Sequence, residues 1–72
     1  MLRMNVWGLY SRQGQYLGQY RAYAPETAFC EYMLLLGLAK VSEKDIEYVP
    51  LNDHVGKLVY KSEDYFAVPI DV

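Results

Sequence analysis

The sequence PETAFCEYMLLLG, from Pro25 to Gly37, carries the clearest structural signal in the chain. A proline is tolerated in the first turn of a helix because its missing N–H would have no partner there, and Glu26 complements the positive end of the helix dipole. Apolar side chains recur at helical spacing and form one stripe, Ala28, Phe29, Tyr32, Met33 and Leu36. The pattern predicts a helix over residues 25–36 that ends at a left-handed glycine.

Two segments rich in aromatic residues precede the helix and predict a β-hairpin. Residues 5–10 and 15–23 are strand-like, and the polar residues between them, which end in Gly14, have the composition of a turn. Pairing Tyr10 with Gln15 would place Trp7 opposite Gly18 on the face that meets the helix. The core expected from the hairpin and the helix consists of Trp7, Leu9, Tyr20, Ala22, Phe29, Met33 and Leu36.

The second half of the chain predicts a single helical turn and three strands. Residues 42–45 have the Ser-x-x-acid form of a helix start, but no amphipathic run follows them. Residues 46–51 alternate as a strand, which Pro50 confines to an edge of the sheet because a proline donates no hydrogen bond. After a loop, residues 57–61 and 65–70 form a second hairpin around a polar turn.

These elements predict one α+β domain over residues 1–72. The expected order is ββαβββ, with a mainly antiparallel sheet packed on one helix. The chain is 53% hydrophobic and 22% charged, unlike a disordered protein. Its longest apolar run, residues 33–39, is far shorter than the roughly 20 residues of a membrane span, and its start does not have the form of a signal peptide. We expect a cytoplasmic protein without membrane contact.

Side chains that could carry catalysis or hold a metal are scarce. Cys30 and His54 are the only cysteine and the only histidine, which excludes an internal disulfide and a four-ligand structural zinc site. Asp53 beside His54 is typical of a loop, and no serine stands in the glycine-framed turn of a hydrolase nucleophile. We therefore expect no enzyme activity, no catalytic residues, no metal and no cofactor.

Charge is divided unevenly along the chain, whose net charge is −2. Three arginines precede the first acidic residue, Glu26, whereas four lysines meet nine acids from that point on. A nucleic-acid-binding domain that uses arginines and tyrosines of the hairpin is an open alternative. Such a domain is expected to have a pI above about 9, so nucleic acid is not the expected partner of a net acidic chain.

The outward face of the predicted hairpin is the candidate surface for a partner protein. Eight tyrosines are more than a core of this size can bury with every hydroxyl satisfied, and tyrosine and arginine are enriched in protein interfaces. The expected contact residues are Tyr10, Leu17, Gln19, Arg21 and Tyr23.

Surplus apolar residues on the predicted helix leave a second possibility open. Leu34, Leu35 and Leu38 lie beyond the stripe that one small sheet can cover. These leucines favour a homodimer interface as an alternative to binding another protein. A further alternative is a small-ligand binder, which at this size would need a homo-oligomer to form its pocket.

The order of a tyrosine-rich hairpin and a short helix resembles a broad class of proteins. The motif YLGQYRA at residues 16–22, followed by PETA at residues 25–28, is similar to the opening of short accessory proteins encoded by phages and other mobile elements. That class includes anti-CRISPR inhibitors. The resemblance implies a protein that occupies a surface of a host or defence protein as an inhibitor or adaptor, and it assigns no individual residue.

Overall fold

The computed structural model describes residues 4–37 and 41–70. The elements follow along the chain as β1 (Asn5–Ser11), β2 (Tyr16–Ala22), α1 (Pro25–Leu35), a 3₁₀ turn (Glu43–Asp45), β3 (Glu47–Pro50), β4 (Gly56–Tyr60) and β5 (Glu63–Ile70). The predicted α+β class and ββαβββ order are confirmed. Within the described residues, no helix combines the length and the apolarity needed to cross a bilayer.

All five strands form one antiparallel sheet in the order β2-β1-β5-β4-β3. Strand β5 lies at the centre, where it joins the two hairpins by pairing with β1 on one side and β4 on the other. The edge position predicted for the strand that contains Pro50 is confirmed, since β3 pairs with β4 alone in the part of the chain that the structure describes.

Helix α1 packs on one face of this sheet and encloses the core with it. The buried side chains are Trp7, Leu9, Ala22, Ala28, Phe29, Met33, Ile46, Leu58 and Ala67. Phe29 is completely buried, and its ring centre lies 4.6 Å from that of Tyr65 and 5.8 Å from that of Tyr60. Burial raises the pKa of the Tyr65 hydroxyl, and the nearby Glu63 carboxylate raises it further.

The helix begins and caps as predicted but ends one residue earlier. Pro25 is its first residue, and Gly37 has a φ of +76°, the left-handed conformation expected of a C-terminal glycine. The prediction that Leu36 belongs to the core is wrong, because 55% of this side chain is exposed. Leu36 is the C-cap, and it lies beyond Met33, the last helical residue that is buried against the sheet.

The first hairpin keeps the predicted faces but not the predicted partners. Trp7 lies opposite Tyr20 and Leu9 opposite Gly18, a register two residues away from the expected one. Because side-chain direction repeats every two residues, this shift leaves Trp7, Leu9, Tyr20 and Ala22 on the core face. The indole Nε1 of Trp7 donates a buried hydrogen bond of 3.1 Å to the Ala22 carbonyl.

A bulge in β2 accounts for the altered pairing. The register changes between Leu9 and Tyr10, and Leu17 is the additional residue on β2. Gly18 adopts a φ of +118°, which favours glycine, and its empty side-chain position is covered by the Tyr20 ring instead of the expected Trp7. The Tyr20 hydroxyl donates to the Leu17 carbonyl at 3.2 Å and holds the bulge in place.

The second hairpin turns earlier than the sequence predicts. Instead of a three-residue turn after Lys61, the strands close around Lys61 and Ser62, whose φ angles are +49° and +65°. Two consecutive left-handed residues define the type I′ turn, which matches the twist of a two-residue hairpin. The sequence indicates a polar turn here, but neither Lys61 nor Ser62 is the Asn or Gly that usually marks a type I′ turn.

Candidate interface on the open sheet face

The sheet has a second face that α1 does not cover. Side chains alternate along each strand, so the residues between the core positions point to the side opposite the helix. Strand register places thirteen side chains on this side, and we call them the open face: Val6, Tyr10, Tyr16, Gln19, Arg21, Glu47, Val49, Lys57, Val59, Asp64, Phe66, Val68 and Ile70.

The middle of the open face is mainly apolar and includes Lys57. Phe66 on the central strand lies opposite Tyr10 on one side and Lys57 on the other. Gly8 lies below Ile70, whose Cδ1 is 3.1 Å from the position a Cβ on Gly8 would take. The valines, Ile70 and the two aromatic rings are half-buried, as expected of neighbouring side chains on a sheet face that no other element of residues 4–37 and 41–70 covers.

Two tyrosine rings extend the open face at its β2 side. Tyr10 pairs with Tyr16 across the bulge, and their ring centres are 5.5 Å apart in a tilted arrangement. Tyr16 is 52% exposed. Each ring combines a large apolar surface with a hydroxyl that can bond to water or to a partner, and the contact fixes the two rings relative to each other.

Charged and polar groups surround the apolar centre. Gln19 and Arg21 lie along the β2 edge, with Arg21 in the same row as Val6 and Ile70. Glu47 on β3 and Asp64 on β5 flank Val59 at the diagonally opposite corner. The open face therefore has a basic corner and an acidic corner.

The structure brings together most of the contact residues predicted from the sequence. Tyr10, Gln19 and Arg21 share the open face, and Tyr23 is 55% exposed just beyond the end of β2. Leu17 does not belong with them, because it is the bulge residue and packs against the core. The expectation that it points outward is wrong, since the bulge reverses side-chain direction for the residues before Gly18.

Sequence reasoning did not find the residues that β5 and the bulge add to this surface, which include Tyr16, Phe66, Val68 and Ile70. The sequence shows the alternation of apolar residues in β5, but it does not show that β5 lies beside β1. Phe66 becomes a neighbour of Tyr10 only because the last strand of the chain pairs with the first. No local pattern specifies that pairing.

The helix carries a second apolar surface. Leu34, Leu35 and Leu36 are 60%, 73% and 55% exposed, as expected for leucines beyond the buried stripe, whereas Leu38 lies outside the described residues. A groove of about 900 Å³ is lined by Leu34 and Cys30 among others. Burial raises the pKa of the Cys30 thiol, as do the carboxylates of nearby acidic residues, so the thiol stays protonated and weakly nucleophilic at neutral pH.

The loop that holds the single histidine is organised by its backbone. The Oδ1 atom of Asn52 accepts hydrogen bonds from the amides of His54 and Val55, at 2.7 Å and 2.9 Å. Turn chemistry thus involves Asn52, although the sequence pointed to Asp53. Among the residues described, no three His, Cys, Asp or Glu side chains converge as a metal-binding group.

Comparisons with protein-family models, with curated proteins and with solved structures found no match to this chain.

Proposed function

We propose that this protein is a non-enzymatic binding module that covers a surface of a partner protein with its open face. The supporting observation is the arrangement of that face, which has aromatic and branched apolar side chains at its centre, next to Lys57, and further charged groups at its margin. Protein interfaces have this anatomy, with a desolvated apolar core inside a polar rim.

Phe66 and Tyr10 are the anchors of the proposed contact. They lie opposite each other near the middle of the sheet, where a partner would exclude water most completely. Arg21 and Gln19 contribute polar contacts at the β2 edge. Large aromatic side chains with few rotatable bonds lose little entropy when they are immobilised, so this centre is suited to carry most of the binding energy.

The size of the open face agrees with a contact between two proteins. Five strands spaced about 4.8 Å apart and some 20 Å long give a flat area of about 500 Å². A standard interface buries about 800 Å² on each partner. The open face is thus large enough to form the centre of an interface, and neighbouring parts of the molecule would complete it.

Covering a surface requires no catalytic group, and this is how we expect the protein to act as an inhibitor or adaptor. A partner site blocked in this way loses access to its own substrate or ligand. The accessory proteins of phages and mobile elements that this chain resembles, anti-CRISPR inhibitors among them, often act in this manner, and we propose the same role in the cytoplasm for this chain.

The test is a pair of charge substitutions on the two apolar surfaces. Phe66→Glu introduces a carboxylate at the centre of the open face, whereas Leu35→Glu introduces one on the exposed helix end as the matched control. A partner captured on the wild-type protein is purified and its affinity for each variant is measured by calorimetry. We expect Phe66→Glu to weaken binding by about 30-fold or more, which corresponds to a hot-spot residue.

The control variant should bind within about threefold of the wild-type protein. Circular dichroism must show both variants folded, and Phe66→Ala replaces Phe66→Glu if the carboxylate unfolds the sheet. The proposal fails if Leu35→Glu abolishes binding while the Phe66 variants keep it.

A further inference from the structure

The two edges of the sheet differ in their capacity to accept another strand. Strand β3 is four residues long and ends at Pro50, which has no N–H to donate. Strand β2 has seven residues and no proline, and in the described part of the chain it pairs with β1 alone. A proline and a short length protect an edge from added strands, so β3 is protected and β2 is open.

The register identifies which backbone groups of β2 point outward. Pro69 lies opposite Trp7 and cannot donate to it, so Trp7 directs its N–H and C=O toward Tyr20 on β2. The hairpin turn supports this direction. The Ser11 amide, four residues after Trp7 on β1, also points toward the β2 side and donates to the Gln15 carbonyl at 2.9 Å.

The N–H and C=O groups of successive residues point to alternate edges of a strand. Because Tyr20 directs its backbone groups toward β1, the backbone groups of its two neighbours point away from β1. The N–H and C=O groups of Gln19 and Arg21 point to the free edge. Among residues 4–37 and 41–70, neither residue has a turn, loop or cap backbone hydrogen bond. The bulge at Leu17 limits this free segment to the second half of β2.

Charge indicates what kind of strand this edge would accept. Arg21 lies on the edge itself and Arg12 in the turn that precedes it, while the chain contains no acidic residue before Glu26. Two copies paired antiparallel at Gln19 and Arg21 would bring their two Arg21 side chains close together, which is unfavourable. An extended segment with carboxylates would instead place opposite charges side by side.

We propose that β2 accepts an extended acidic segment of the partner protein as a sixth strand, bonded to the backbone of Gln19 and Arg21. A carboxylate of the segment lies against the Arg21 guanidinium on the open face. Strand addition of this kind obtains affinity from main-chain hydrogen bonds and specificity from alternate side chains. The inference rests on the proposed function, because the segment adjoins and enlarges the contact made by the open face.

The probes are two blocked seven-residue peptides in which valine or threonine alternates with glutamate, or with lysine in its place. Each is titrated into ¹⁵N-labelled protein. We expect the glutamate peptide to shift the amide signals of Gln19 and Arg21, to slow their hydrogen exchange, and to bind at least tenfold more tightly than the lysine peptide. Equal binding of both peptides, signal changes confined to other strands, or no binding at millimolar peptide would overturn the inference.

Two substitutions at one position separate the backbone from the side chain. Gln19→Pro removes the outward N–H, whereas Gln19→Ala keeps it and removes only the side chain. We expect the proline variant to lose at least 90% of peptide binding and the alanine variant to keep it within threefold, with both folded by circular dichroism. Similar losses in both variants would show that the side chain, and not strand addition, carries the contact.

The peptide experiment can fail without refuting the proposed binding by the open face, and the two results can be told apart. Phe66→Glu should still bind the glutamate peptide, since Phe66 lies on the central strand, two strands away from the free edge. Failure of the peptide to bind, together with partner binding that depends on Phe66, would refute the sixth strand and leave the open face as the binding surface.

Discussion

Phe29 shows how one residue links the helix to the sheet. Its side chain is completely buried, and the rings of Tyr32, Tyr60 and Tyr65 lie around it with centres 4.6 to 6.0 Å away. Helical periodicity alone identified this position as core, because it combines a large apolar side chain with the spacing of the buried stripe.

Replacing Phe29 with alanine should therefore remove much of the stability of the domain. We expect Phe29→Ala to lower the free energy of unfolding by about 3–5 kcal/mol, because it leaves a cavity among rings that cannot fully collapse. Chemical denaturation measures the change. Leu35→Ala, at a side chain that is 73% exposed, should change it by about 0.5 kcal/mol or less. A Phe29→Ala protein that melts within a few degrees of the wild-type protein would contradict this account of the core.

The turn between β4 and β5 shows what the elements require of their connections. Lys61 and Ser62 both have positive φ, a conformation that costs an ordinary residue about 1–2 kcal/mol, and the hairpin tolerates it because the sheet fixes both strands.

Glycine in this turn should accordingly stabilise the protein. We expect Ser62→Gly to raise the free energy of unfolding by about 0.5–1 kcal/mol, because glycine adopts positive φ without strain. Asp53→Gly is the matched control in a loop residue whose φ is not positive, and there the added flexibility should lower stability. The melting temperatures of both variants, measured in parallel with that of the wild-type protein, test this prediction. A loss of stability in both would show that Ser62 is not strained.

The helix and strands could be predicted from local sequence patterns. The two residues whose side-chain positions were predicted wrongly, Leu17 and Leu36, each have a local structural cause. The helix, both hairpins and the edge strand follow from periodicity, glycine and proline. Leu17 was misassigned because alternation does not encode a bulge, which the strand register and the positive φ of Gly18 reveal in the structure. Leu36 was misassigned because periodicity continues past the point where the helix stops packing on the sheet.

At the scale of the whole molecule, the strand order is what the sequence could not supply. Pairing of β1 with β5 joins the two ends of the chain, and it depends on contacts between residues some sixty positions apart, such as Leu9 and Ala67. This pairing turns two modest hairpin faces into one continuous apolar surface. The candidate site was thus half predictable: Tyr10, Gln19 and Arg21 follow from the first hairpin, whereas Phe66 follows only from topology.

The molecule has two faces of unlike character. On one side the helix closes the core, and on the other the sheet exposes its apolar centre between a basic and an acidic corner. Its exposed helix leucines form a competing surface, and we propose that the partner contacts the sheet and not the helix end.

Hydroxyl-radical footprinting of the purified complex distinguishes the two surfaces, since it reports side-chain accessibility at both in one experiment. We expect oxidation of Tyr10, Tyr16 and Phe66 to fall at least fivefold on binding, while Leu34 and Leu35 are oxidised as in the free protein. Protection of the two leucines, with Tyr10, Tyr16 and Phe66 unchanged, would contradict it.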